Sequence, residues 1–257
     1  MQTNVLKRNL QIGISTGLLL TAASAHAHFP WVAVPDYSLA TNKTSPVHIM
    51  TGHSFPLDSI LEEDRLGSLE LVHPDGSRSG LEKSGAMYMT PELKGGGAYV
   101  LLATQKSSFY TRTKSGGKRQ SKEGLSDVIK CSYSARTMKA VLNVGAGDGM
   151  LSSTFDQPLE IIPLTNPVRL RVNDYLDVQV LLHWKPYNGM VYATYSGFSP
   201  EEHTYAYAVT TNDEGKASIR ILATGAWLVR ANVEQPYPDT RICDVESYNA
   251  TLTFGIQ

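Results

Sequence analysis

A chain of 257 residues, 42% of them hydrophobic, is long enough for one large β domain or two small ones. Its formal charge of −1 gives no electrostatic case for a nucleic-acid partner. Beyond the N-terminal segment no apolar run of about 18 residues occurs, so no later helix is expected to span a membrane.

Residues 1–27 read as an export signal. Lys7 and Arg8 form a basic n-region, and Leu10 to Ala25 is largely apolar around Leu18-Leu19-Leu20. Two cuts fit the A-x-A rule, one after Ala27 and one after Ala25. The signal carries two bases and no acid, so cleavage shifts the formal charge from −1 to −3. No Cys stands at the junction to take a lipid. The expected product is soluble and periplasmic.

Cleavage after Ala27 makes His28 the N-terminus, and an N-terminal His can chelate through its free amine and its imidazole. Cleavage after Ala25 leaves His26-Ala27-His28, where the third-position His adds two deprotonated backbone amides. That square-planar nitrogen set suits Cu(II) or Ni(II). The alternative is two chance histidines at a processing site.

The mature pattern is β throughout, with short runs of Val, Ile, Leu, Thr and Tyr between Gly, Pro, Asn and Asp clusters. In the first half, strands are expected at Val47–Thr51, Ser68–Val72, Ala98–Thr104, Lys139–Val144 and Leu159–Ile162. Lys106 to Lys122 is basic and polar and reads as a solvated loop; an anion-binding flap is the other reading. Gly116-Gly117-Lys118 and Gly145 to Gly149 lack the spacing of nucleotide-binding loops and read as turns. A boundary at Pro163 to Pro167 divides a β domain over 28–164 from a second over 165–257.

Seven strand-like runs fill that second segment: Val168–Val172, Val178–Trp184, Met190–Gly197, Tyr205–Thr211, Ala217–Leu222, Trp227–Glu234 and Tyr248–Ile256. Seven short strands at this spacing indicate an immunoglobulin-like sandwich. The fold class is therefore all-β, two β-sandwich domains after a cleaved signal. Cys131 and Cys243 are what an oxidising compartment would pair, and two buried thiols are the alternative.

Among the histidines, His53 follows Gly52 at a strand end, where an imidazole can point into a site. His48 lies in the same strand, and the five-residue spacing puts it on the opposite face. His73, beside a Pro-Asp-Gly turn, reads as exposed and idle, His183 as half-buried and structural, and His203 after Glu201-Glu202 as solvated. No HExxH, GxSxG, SxxK or CxxC motif is present.

Several segments together resemble one exported family, domain of unknown function 4198. They are His28-Phe29-Pro30-Trp31, Gly52-His53-Ser54-Phe55-Pro56, the Tyr133 to Val144 run, Thr211 to Ala217 with Gly225 to Val229, and Thr251-Leu252-Thr253-Phe254. The commonest family start has an acidic or amide residue where this chain has Phe29. The resemblance covers essentially the whole mature chain. It implies a periplasmic component of a cobalt or nickel uptake system, with His28 and His53 as metal ligands.

The resulting expectation is a non-enzymatic accessory protein that binds Ni²⁺ or Co²⁺, with Cu²⁺ also suited, and hands it to a metal-uptake permease. His28 and His53 are the leading ligands, and His26 and His48 the further candidates. Affinity should fall at low pH, because amine and imidazoles must lose protons to bind. Two rivals are kept. One is a histidine-brace copper oxygenase, with Tyr187, Tyr192 and Tyr195 as a possible glycan platform. The other is a metal-free exported module binding carbohydrate or protein.

Overall fold

The computed structural model describes residues 28–145, 149 and 151–257. The segment expected to be an export signal, its expected cleavage points, His26 and the centre of the Gly145–Gly149 turn lie outside these residues. The described chain is all-β. Twelve of its strands have four or more residues: β1 (Phe29–Ala33), β2 (Pro46–Gly52), β3 (Leu66–Val72), β4 (Gly97–Thr113), β5 (Val128–Val144), β6 (Leu159–Pro163), β7 (Tyr175–Leu182), β8 (Met190–Tyr195), β9 (Tyr207–Thr210), β10 (Lys216–Arg220), β11 (Gly225–Pro236) and β12 (Val245–Ile256).

A central sheet runs β9-β8-β11-β12-β5-β4-β3 and ends on Arg78–Gly80. One smaller sheet contains β1, β2 and the short strands Met87–Met89 and Glu82–Ser84. The other contains β6, β7 and β10. β12 pairs parallel with β5, from Ser132↔Val245 to Ala140↔Thr253, so the C-terminal strand is stitched into the first half of the chain.

The apolar run in β4 is continuous because both of its faces are covered. Tyr99, Leu101 and Ala103 pack with Val32, Val47 and Ile49 of the β1–β2 layer. Ala98, Val100 and Leu102, on the alternate face, join Leu159, Ile161, Val178, Ile219, Trp227 and Phe254 in the larger core. β12 divides the same way. Leu252 and Phe254 enter the larger core, whereas the Thr251 and Thr253 hydroxyls donate to the Pro30 and Val32 carbonyls at 2.9 and 2.7 Å. These two buried bonds fix where β1 lies on the central sheet.

The division at residues 164 and 165 thus separates chain segments but not cores. β6, from the first segment, pairs with β7 from the second, and the larger core draws on both. The second segment still forms the two facing layers of a sandwich, one of which continues into the first segment's sheet.

Two local expectations are corrected. No strand forms over Val168–Val172. Pro167 lacks an N–H, and the Asn166 side chain accepts from Val168 N at 3.1 Å, which winds Pro167–Arg169 into a 3-10 turn. The basic stretch is also not simply a loop. β4 runs on to Thr113 and turns back on itself through Gly116–Lys118. Glycine at position 117 leaves room for the Tyr110 ring, whose hydroxyl oxygen lies 2.0 Å from where a Cβ would stand.

Cys131 and Cys243 form a disulfide with Cα atoms 5.0 Å apart. It closes the open end of the parallel β5–β12 pair. Beside it, Asp244 Oδ2 accepts from Cys131 N at 2.7 Å and Oδ1 pairs with the Lys122 ammonium. Burial alone would raise the Asp244 pKa. The Lys122 ammonium and the Cys131 N–H outweigh it and hold the carboxyl below its ordinary value of 3.8. A depressed folded pKa contributes stability that is complete above 3.8 and is lost as pH falls through the folded value. Asp244→Asn should therefore cost stability at neutral pH, and the cost should shrink along the acid limb of a urea-unfolding series. A cost that stays constant through that limb would contradict this account.

Candidate metal centre

The antiparallel register of β1 on β2 builds the site. Phe29 faces Gly52, so one further step along each strand brings His28 opposite His53. Their ring centroids lie 4.2 Å apart. Both strands end over a small apolar cluster of Phe29, Trp31, Met50 and Leu228, with Phe55 packed against it.

The loop after β2 is held from two sides. Trp31 Nε1 donates to the Pro56 carbonyl at 3.2 Å. The Asp58 carboxylate accepts from His53 N at 2.8 Å and Ser54 N at 3.2 Å. Only glycine suits position 52. Its φ is +156°, and a Cβ would stand 2.0 Å from Asp58 Oδ2. Glycine thus admits the carboxylate that orients the His53 backbone.

A loop between β8 and β9 completes the cluster. His203, in the left-handed region at φ 57°, sets its ring 4.4 Å from that of His53. One ligand atom from each of His53, Glu202 and His203 falls within 4.8 Å of the others. Donors bound to one ion at about 2.0–2.2 Å cannot be much more than about 4 Å apart, so a slight contraction of side chains would suffice. His53 Nδ1 is buried and has no hydrogen-bond partner, an unmet acceptor or donor on a residue of this group. Burial, and then the neighbouring His28, hold the His53 imidazole below the ordinary histidine pKa, and Glu202 and Asp58 oppose this without reversing it. Two or three imidazoles with one carboxylate make a donor set that fits a first-row divalent metal better than Ca²⁺ or Mg²⁺.

Of the sequence candidates, His28 and His53 meet and His26 lies outside the described residues. His48 does not join them. It pairs with Ala33 at the far end of the two strands, about 16 Å along the strand from His53. Glu202 and His203 are the residues that sequence reasoning set aside as solvated. They approach His53 from 150 residues away, and no spacing signal announces them.

The other histidines have structural partners. His73 is half-buried, contrary to its reading as exposed and idle, with Nε2 2.8 Å from Ser79 Oγ and its ring edge-on to Tyr99. His183 sits edge-on to Tyr248. The three candidate tyrosines do not form one platform. Tyr187 is buried, with its hydroxyl donating to the Asn232 carbonyl. Tyr192 packs on Tyr205, and Tyr195 packs on Trp227 across the other face of β8.

The sequence pattern of the family described as Domain of unknown function (DUF4198) matches residues 25–235. No curated protein matches the sequence. Solved structures that the chain matches include Salmonella α-2-macroglobulin reacted with methylamine, at 10% identity and TM-score 0.25, covering 88% of this chain and 15% of that one. Murine CEACAM1b is 9% identical at TM-score 0.22, with 90% and 100% covered. A DUF4785 family protein of Legionella pneumophila is 11% identical at TM-score 0.24, with 86% and 54% covered. Likeness at this level says nothing about what the chain binds. Among the described residues, no helix is long and apolar enough to cross a membrane.

Proposed function

This chain belongs to the family described as Domain of unknown function (DUF4198), and from that membership and the histidine cluster together we propose that it is an exported binding protein for a transition-metal cargo, nickel or cobalt. The observation that carries this reading is the meeting of His28, His53, His203 and Glu202 from three separate segments beside an unpartnered His53 Nδ1. Signal cleavage after Ala27 would add the His28 α-amine to the donors. Periplasmic location and transfer of the ion to an uptake permease complete the proposal. Its action is capture and release, and it requires no bond-making step.

Nickel titration calorimetry on protein beginning at His28 tests it. One equivalent is expected to bind. His53→Ala and His203→Ala should each weaken binding by about tenfold or more, equivalent to about 1.4 kcal/mol. An N-terminal extension that blocks the amine should weaken it as well. His48→Ala should leave the affinity unchanged, because His48 lies at the other end of its strand. Unchanged nickel affinity in His53→Ala, with the fold intact by circular dichroism, would overturn the proposal.

A further inference from the structure

Beyond the histidines, the same face of the central sheet carries three arginines that form no ion pair among the described residues. Arg136 on β5 pairs with Gln105 on β4 and with Asn249 on β12, and Asn249 pairs in turn with Asn232 on β11. Register partners share a face, so Gln105, Arg136, Asn249 and Asn232 line one row. Arg230 lies two residues from Asn232 and therefore points the same way. Arg65 arrives at the far end of the row, just before β3. With its amide oxygen turned toward them, Gln105 accepts from Arg136 Nη1 at 2.9 Å and from Arg65 Nη2 at 3.1 Å.

Among the described residues, none of these three guanidiniums forms an ion pair. Arg230 lies over the Phe29 ring at 4.4 Å and donates from Nη1 to the Tyr205 hydroxyl at 2.6 Å, yet its buried Nε has no partner. Asn249 is 8% exposed, and its buried Oδ1 also has no partner. Burial, and then repulsion from Arg65 and Arg230, lower the Arg136 pKa to about 10. Like charges held together with no ion-paired carboxylate among the described residues, in a chain whose net charge is negative, are arranged for an anion from outside.

We propose that Arg65, Arg136 and Arg230 form a binding site for a small polycarboxylate, which delivers the metal to the adjacent histidines as an anionic chelate. Arg230 ties the two sites together, since it touches Phe29, the residue next to His28, and its charge acts on His53. The Cα atoms of Arg136 and Arg230 are two strand spacings and two residues apart, about 12 Å. One carboxylate can bridge two arginines at that span, but three guanidiniums strung along the row offer donors for more than one, and a ligand with two or three carboxylates can engage all of them with oxygens left over for a metal. Only the delivery step rests on the proposed metal function; the anion site stands without it.

Citrate is the probe, titrated into the protein beginning at His28, first metal-free and then with one equivalent of nickel. Metal-free protein should bind citrate, and bind acetate at least tenfold more weakly. Arg136→Gln should reduce citrate affinity at least tenfold while leaving the affinity for nickel alone unchanged. Arg65→Gln, at the edge of the row, is the second variant should Arg136→Gln fail to fold. Nickel should tighten citrate binding in the wild type but not in His53→Ala, because coupling between the two ligands is reciprocal. Citrate binding that is absent, or indifferent to both arginine changes, overturns the inference. Arginine-dependent citrate binding that ignores nickel supports the anion site and instead counts against delivery to the histidines.

Discussion

Replacing Lys139 with Met while Glu160 remains will cost the fold about 3–5 kcal/mol. Both side chains are almost wholly buried, at 2% and 3% exposure, between the central sheet and β6. Lys139 Nζ donates to Glu160 Oε1 at 2.8 Å and to the Ile161 carbonyl at 3.0 Å, and lies 5.0 Å from the centre of the Phe155 ring. The same carboxylate oxygen accepts from Phe155 N at 2.8 Å. Removing the ammonium leaves a carboxylate with no counter-charge in a low-dielectric layer. Removing both charges, as Lys139→Met with Glu160→Leu, should recover most of the loss. The residue would be about 1–3 kcal/mol for the orphaned Phe155 N–H. Urea unfolding of the two variants decides the matter. A double variant as unstable as the single one would show that shape, and not charge, sets the cost.

This pair is also part of a polar seam that fixes register. On the β5 face toward β6, the Thr137 hydroxyl donates to the Leu159 carbonyl at 2.8 Å, one alternate position before Lys139 reaches Ile161. Two successive inward positions of one strand thus grip two alternate carbonyls of the other, those of Leu159 and Ile161. An apolar contact would tolerate slippage of β6 that these bonds oppose.

Cys131→Ser with Cys243→Ser should cost about 2–5 kcal/mol. The bridge spans 112 residues of sequence, so it removes much chain entropy from the unfolded state in the loop-entropy account. Its position adds to this. The parallel β5–β12 pair brings together strands more than 100 residues apart, and the bridge lies just before its first register pair, Ser132↔Val245, one residue away on β5 and two on β12. Without it, β12 must find β5 against the full loop-closure cost. Guanidinium unfolding with and without reductant measures the difference. A midpoint that reduction leaves unmoved would refute it.

Much of the fold was legible because burial writes itself into alternation. Where one face is buried, as in β10, Ala217 and Ile219 alternate with exposed Lys216, Ser218 and Arg220. Where both faces are buried, as in β4, the run is simply apolar, which still marks a strand by its β-branched and aromatic content. β1 escaped because its Phe29-Pro30-Trp31-Val32 run adjoins the stretch read as an export signal and is short, with a proline inside. The union of the two halves into one sheet escaped because a parallel pairing between residues 132 and 245 leaves no local trace.

The candidate site divides the same way. His28 drew attention through the expected processing site and His53 through its glycine, and a register defined by neighbours puts them together. Glu202 and His203 are brought in by packing of the β8–β9 loop, and the arginine row by cross-strand register over four strands. Neither is encoded in any contiguous stretch.

The most direct test of the metal assignment is X-ray absorption at the nickel edge of the loaded protein that begins at His28. The account predicts a first shell dominated by nitrogen with the outer-shell scattering of at least two imidazoles, reduced by one imidazole in His53→Ala. A shell of oxygens alone, or a spectrum that His53→Ala leaves unchanged, would contradict it.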